Sequence, residues 1–252
     1  MAPMDNGPLT APVVLDEVTV SFGERAALDG LSLSFRRGMC TMILGASGSG
    51  KSLALKVAAG LIVPDDGAVF FEGRPIFSMG DDEYQRMQAR TGFHFQDAAL
   101  WANKSLKENL SLPLLAADPT LSDSWINARI IEAFDSVGLE LDSSLRPASV
   151  SMGQRKMVSF LRAVITEPEI LFLDDPGSFL DLGSLRQLLA RVVAFKERGV
   201  TVIVATNSRM IGEVLADSVA VLADGRILAE GSYADIMNSD EEAIASVLRD
   251  LS

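Results

Sequence analysis

Gly45-Ala46-Ser47-Gly48-Ser49-Gly50-Lys51-Ser52 follows the apolar run Cys40-Thr41-Met42-Ile43-Leu44 and precedes Leu53-Ala54-Leu55-Lys56-Val57-Ala58. The octet fits G-x-x-x-x-G-K-[ST], and it stands between a strand-like and a helix-like segment, the setting a phosphate-binding loop needs. Gly45, Gly48 and Gly50 open backbone angles that other residues avoid, so successive N–H groups can turn inward on a polyphosphate. A helix beginning at Lys51 adds the partial positive charge of its N-terminus. Lys51 can reach the β- and γ-phosphates, and the Ser52 hydroxyl can ligate Mg²⁺. Ser47, in the loop, and Leu53, just after it, belong to the same contact set. The plain alternative is a glycine-rich turn with an incidental lysine; the flanking strand and helix argue against it. The reading is a site for a nucleoside triphosphate.

Working outward, 252 residues suit one large α/β domain or a core with an inserted subdomain, and 48% hydrophobic residues can fill a sizeable core. Only the first dozen residues have a disordered composition. No apolar run reaches the roughly 18 residues that cross a bilayer, and Met1 to Pro8 lack the pattern of a signal peptide. A lone cysteine, Cys40, permits no internal disulfide or cysteine-based metal cluster and suits a reducing cytoplasm; its place in an apolar run reads as core packing. The net charge of −12, with scattered lysines and arginines, disfavours DNA or RNA as a partner.

Residues 14–22 and 28–35 read as strands, the second alternating Leu31, Leu33 and Phe35 with serines. A short hairpin is expected over 68–76, a helix over 81–90, and a strand over 92–96 that ends in Gln96. His94, the sole histidine, lies between Phe93 and Phe95 without partner residues in sequence and reads as structural. Residues 97–165 change character. Helices are expected from Ser122 to Val137 and from Ser151 to Ile165, with no strand between them, so the α/β core carries a helical insertion. Ile170-Leu171-Phe172-Leu173 then reads as a strand buried on both faces, ending in Asp174-Asp175 where open α/β sheets bind ligands. Two carboxylates there, beside a phosphate loop, point to Mg²⁺ and water handling. A helix over 182–195, a strand over 200–205, a short helix over 210–215, a hairpin across Ala223-Asp224-Gly225 and a last helix over 241–251 complete the pattern.

Together these pieces resemble the nucleotide-binding subunit of an ATP-binding cassette (ABC) transporter along nearly the whole chain. The discriminating piece is Val150-Ser151-Met152-Gly153-Gln154, at the position of that family's L-S-G-G-Q signature and about twenty residues before the acidic strand. The resemblance implies a P-loop α/β core of mixed sheet flanked by helices, spanning 13–96 and 166–231 with an antiparallel β part. It also implies a helical subdomain over 97–165 and a helical tail over 232–252. ATP and Mg²⁺ would bind between two subunits, with Ser151, Gly153 and Gln154 of one capping the γ-phosphate held by the other. By the same resemblance Phe22 stacks on adenine, and Gln96 touches Mg²⁺ and moves with a membrane partner. Asp174 holds Mg²⁺, Asp175 and Gln96 orient water, Asn207 lies near the γ-phosphate, and Asp181 communicates across the dimer. The groove near Gln96 to Leu114 would receive an integral membrane permease, placing the chain on the cytoplasmic face of the cell membrane.

Three positions depart from the family pattern. Met152 replaces the first glycine of the signature, Asp175 stands for the usual catalytic glutamate, and Asn207 for the switch histidine. Aspartate is shorter by one methylene, and a misplacement of about 1 Å can cost on the order of a hundredfold in rate. Asparagine can hydrogen-bond a phosphate but cannot become cationic. The expected result is intact binding with slow hydrolysis; the rival is a non-hydrolysing, ATP-gated subunit of a heterodimeric assembly. A cassette ATPase of DNA repair or the ribosome usually carries tandem cassettes or long arms, which this sequence lacks. Phe95 to Trp101, Glu108 to Leu114, and the close Ala229 to Ser232 followed by Asn238 to Glu241 further resemble ATPase subunits of the MCE-protein (Mla-type) lipid transporters, implying lipid as cargo.

Overall fold

The computed structural model describes residues 11–23 and 25–249. The chain opens with two long strands, β1 (Val13–Phe22) and β2 (Arg25–Phe35), followed by β3 (Cys40–Leu44) and α1 (Lys51–Ala58). Next come β4 (Asp66–Phe71), β5 (Arg74–Pro75), α2 (Asp81–Ala89) and β6 (Thr91–His94). Three helices follow without a strand: α3 (Leu106–Ala117), α4 (Asp123–Asp135) and α5 (Met152–Val164). The chain then alternates through β7 (Ile170–Asp174), α6 (Leu182–Glu197), β8 (Thr201–Ala205), α7 (Arg209–Leu215) and β9 (Ser218–Ala223). It ends in β10 (Arg226–Ser232), α8 (Tyr233–Met237) and α9 (Glu242–Leu248).

Two sheets result. An antiparallel sheet has the order β2-β1-β4-β5, and a mixed sheet the order β10-β9-β3-β8-β7-β6. In the mixed sheet β9, β3, β8, β7 and β6 run parallel, and β10 closes the edge antiparallel to β9. This is an α/β cassette with a mixed sheet flanked by helices and an antiparallel β part.

The pleat of the central strands explains their unbroken apolar runs. Met42, Leu171, Leu173, Val202, Val204 and Val221 face one core, shared with α3 to α7. Ile43, Phe172, Ile203 and Leu222 face a second core, shared with α1 and the antiparallel sheet. A strand buried on both faces has no polar side to show. Because these strands are parallel, the loops after β3, β6, β7 and β8 all emerge at one edge.

Several expectations shift in detail. The strand expected to end at Gln96 stops at His94, because the carbonyls of Phe95 and Gln96 turn to a lysine of α5. Helix α3 did not stand out in the sequence, since Pro113 lies inside it and proline removes a helical donor. Its start is secured by a capping box between Ser105 and Glu108. The helical tail divides into α8 and α9. The expectations for residues 1–10 and for helix continuing through Leu251 fall outside the described residues.

Candidate functional site

The phosphate loop takes the shape its glycines allow. Gly48 and Gly50 have φ of 80° and 104°, the left-handed region that a side chain disfavours. Gly45 is needed for closeness: a Cβ there would lie 2.2 Å from the Leu222 carbonyl oxygen. Lys51 folds back over the loop, its Nζ donating to the carbonyls of Gly45 at 2.7 Å and Ala46 at 2.9 Å. Burial lowers its pKa, against the opposing pull of Asp175 and Asp174.

Across the edge, the Ser52 hydroxyl donates to Asp174 Oδ1 at 2.6 Å. Asp174 is buried, and that burial raises its pKa while the Ser52 bond opposes the rise. These two oxygens fit Mg²⁺, which is commonly held by one or two carboxylates plus substrate phosphates and water. Among the described residues no group of three or more His, Cys, Asp or Glu forms a cage of its own.

A cleft of 660 Å³ lies over the loop, bordered by Ser47, Gly48, Gly50, Lys51, Ser52, Leu53, Gln96, Asp174, Asp175 and Asn207. The structure thus brings these sequence-selected residues together. A second cleft of 380 Å³ shares Gly48 and Ala27 with the first and is walled by Phe22. Phe22 is 67% exposed.

Ser151, Gly153, Gln154 and Asp181 do not border the phosphate cleft. Ser151 and Gln154 form a capping box that starts α5, the Ser151 hydroxyl accepting from the Gln154 amide and the Gln154 side-chain oxygen from the Ser151 amide. Met152 is 38% exposed and leaves that cap undisturbed. Asp181 caps α6, accepting from the Ser184 amide at 2.9 Å and hydroxyl at 2.7 Å.

Asp175 sits just past β7 with φ 41°. Its amide donates to the Ala205 carbonyl at 2.8 Å, and its Oδ1 accepts from the Thr206 hydroxyl at 3.2 Å. Next along, Asn207 Oδ1 is buried without a hydrogen-bond partner.

Sequence reasoning missed two residues here. Thr206 is buried and orients the Asp175 carboxylate. Lys156 is fully buried, and its Nζ donates to the carbonyls of Phe95 at 3.3 Å, Gln96 at 3.0 Å and Asp175 at 3.2 Å. Burial lowers its pKa to about 8, with Asp175, Asp174 and Asp97 opposing. A signal existed: Lys156 lies four residues before Phe160 on the apolar side of α5, where a solvated lysine does not belong. His94, packed edge-on against Phe160, is fully buried. Its pKa is held well below the ordinary value by burial, then by Lys156 and Arg162. It borders neither cleft.

A groove of 820 Å³ runs between α2, β6 and α3, with Phe93, Phe95, Trp101, Pro113 and Arg162 among its walls. The buried Asn109 fixes its rim: Asn109 Oδ1 accepts from the Trp101 amide and Nδ2 donates to the Trp101 and Ser105 carbonyls. Trp101 is thereby presented 57% exposed. No helix among the described residues is long and apolar enough to cross a membrane.

The family description "ABC transporter" matches residues 28–178. The methionine import ATP-binding protein MetN of Mesorhizobium japonicum is 34% identical over 228 residues, 90% of this chain and 62% of its own length. MetN of Brucella abortus (strain 2308) is 35% identical over 224 residues, 88% of this chain and 60% of its own. This chain therefore spans about three fifths of the length of these curated relatives. Among solved structures, the dimeric ATP-binding cassette MJ0796, in a post-hydrolysis state bound to ADP and Pi, superposes with a TM-score of 0.82 at 28% identity. That match covers 88% of this chain and 98% of MJ0796.

Proposed function

This chain belongs to the ATP-binding cassette (ABC) transporter family, and on that premise we propose that it is an ATP-hydrolysing subunit that drives a membrane permease. The observation that carries the reading is the convergence of Lys51, Ser52, Asp174, Asp175, Gln96 and Asn207 on one cleft. The phosphate-loop amides and Lys51 would hold the β- and γ-phosphates. Ser52 and Asp174 would hold Mg²⁺, which when bound neutralises charge on the phosphate oxygens. Asp175, anchored through Thr206, would accept the proton of an attacking water, with Gln96 and Asn207 orienting water and γ-phosphate.

The signature residues lie outside the chain's own cleft, and this supports a paired arrangement in which a second ATP-binding subunit supplies them. MJ0796, a dimer, is similar over nearly its whole length. Whether that second subunit is a copy of this chain or a different cassette bears on hydrolysis, because a different cassette could bring its own glutamate and histidine. The groove beneath Trp101 would receive the permease, which places the chain at the inner face of the membrane. Walls that combine Phe93, Phe95, Trp101 and Leu112 with Gln85, Gln88 and Arg162 suit a short amphipathic helix laid in a groove.

For the cargo, Phe95 to Trp101 and Glu108 to Leu114 support a lipid, by likeness to MCE-type systems. The names of the curated relatives support methionine import instead. Co-purification from native membranes in mild detergent, followed by mass spectrometry, decides both. A polytopic subunit should accompany the chain, with an MCE protein for lipid or without one for small-molecule import. Recovery only as a free monomer, with ATP present, would overturn the permease-driving role.

A further inference from the structure

Helix α5 holds the loop that leaves β6 by its backbone. Lys156 donates to the carbonyls of Phe95 and Gln96. Further along the same helix, Arg162 donates to the carbonyls of Ala99 at 2.9 Å and Ala98 at 3.5 Å. The loop needs such support, because Ala98 and Ala99 both have positive φ, 66° and 44°, a region alanine enters at a cost.

Lys156 differs from Arg162 in its third bond, to the Asp175 carbonyl at 3.2 Å. An ammonium has three donors and no acceptor, so one buried charge is shared between two loops and fully used. The Asp175 carbonyl also accepts from the Ser178 hydroxyl at 3.0 Å, and the residue is held at φ 41°. Its carboxylate is fixed separately by Thr206. Removing the ammonium would take the side-chain donor from the Gln96 carbonyl and leave the Phe95 carbonyl to the Ala98 amide and the Asp175 carbonyl to Ser178, cutting this link between the two loops.

We propose that Lys156 is a positioning residue that locks the main chain of Asp175 to the Phe95–Gln96 loop, so that movement of that loop moves the carboxylate. The loop borders the groove beneath Trp101 on one side and the phosphate cleft on the other. The short aspartate side chain makes this lock consequential: a carboxylate one methylene short of the family's glutamate has little reach to spare. The inference rests on the hydrolytic reading of Asp175, but the contact itself does not.

The test uses the full chain with Lys156→Met and Lys156→Arg, followed by amide hydrogen exchange, ATP calorimetry and turnover in the permease complex. In Lys156→Met, exchange should rise at least tenfold in 95–99 and 175–178 together, while ATP affinity stays within twofold. Turnover should show kcat reduced on the order of ten- to a hundredfold with KM nearly unchanged, as a displacement of about 1 Å implies. Lys156→Arg, which keeps the charge and donors, should lie between the two and serves as the test if the methionine variant does not fold. Loosening of one loop without the other, in a folded variant, overturns the proposal. So does a parallel fall in ATP affinity and kcat, which marks a general structural role. Failure of the wild-type chain to bind ATP would instead overturn the functional reading, with the exchange result in the nucleotide-free chain still deciding the lock.

Discussion

The phosphate loop and the acidic edge face each other across one cleft, yet they are built on different principles. The loop is defined by backbone: Gly48 and Gly50 take left-handed angles, Gly45 lets the Leu222 carbonyl approach, and α1 supplies the dipole. The edge is defined by side chains held from elsewhere: Asp175 by Thr206 of the β8 loop and Lys156 of α5. A backbone site is sensitive at its glycines, which are hemmed in by the main chain of Leu222 and Ala27 or held at left-handed angles. A side-chain site can absorb an aspartate for glutamate, provided its supports keep the carboxylate in place.

Substitutions on the two sides should therefore fail differently. The largest effect on binding belongs to Lys51→Ala. Charge-assisted hydrogen bonds contribute about 1.5–3 kcal/mol each, so ATP affinity by calorimetry should fall at least about tenfold. Unchanged affinity would refute the phosphate-loop assignment. Thr206→Val is a smaller and sharper probe of the other side. It keeps the shape but removes the donor to Asp175 Oδ1. A net hydrogen bond of about 0.5–1.5 kcal/mol predicts a two- to tenfold loss in kcat, with ATP affinity and KM unchanged. Equal losses in both parameters would mean that Thr206 serves folding and not the carboxylate.

The same contrast explains what could be read in the sequence. The loop was legible because a local motif states it: three glycines, a lysine and a serine between a strand and a helix. The parallel strands were legible as apolar runs, since both their faces are buried. The union of Asp174, Asp175, Gln96 and Asn207 at one edge follows once those strands are parallel. Lys156 and Thr206 were not read, because their roles depend on contacts 19 and 31 residues away in sequence. Helix α3 was masked by Pro113, and the capping tasks of Gln154 and Asp181 cannot be told from ligand contacts by residue type alone. Spacing identifies the signature; the fold shows that its residues lie outside the lining of the chain's own cleft.

The central claim is that Asp175, short as it is, works as the base of a slow ATPase. The most direct measurement is Mg²⁺-dependent ATP turnover of the purified membrane complex, wild type against Asp175→Asn, with ATP affinity measured alongside. A neutral amide is no general base, so turnover should be measurable in the wild type and fall at least a hundredfold in the variant, while ATP remains bound. Equal turnover in the two would contradict the claim. So would transport by a complex with no second type of cassette subunit and no ATP hydrolysis at all, since ATP would then act there as a ligand and not as fuel.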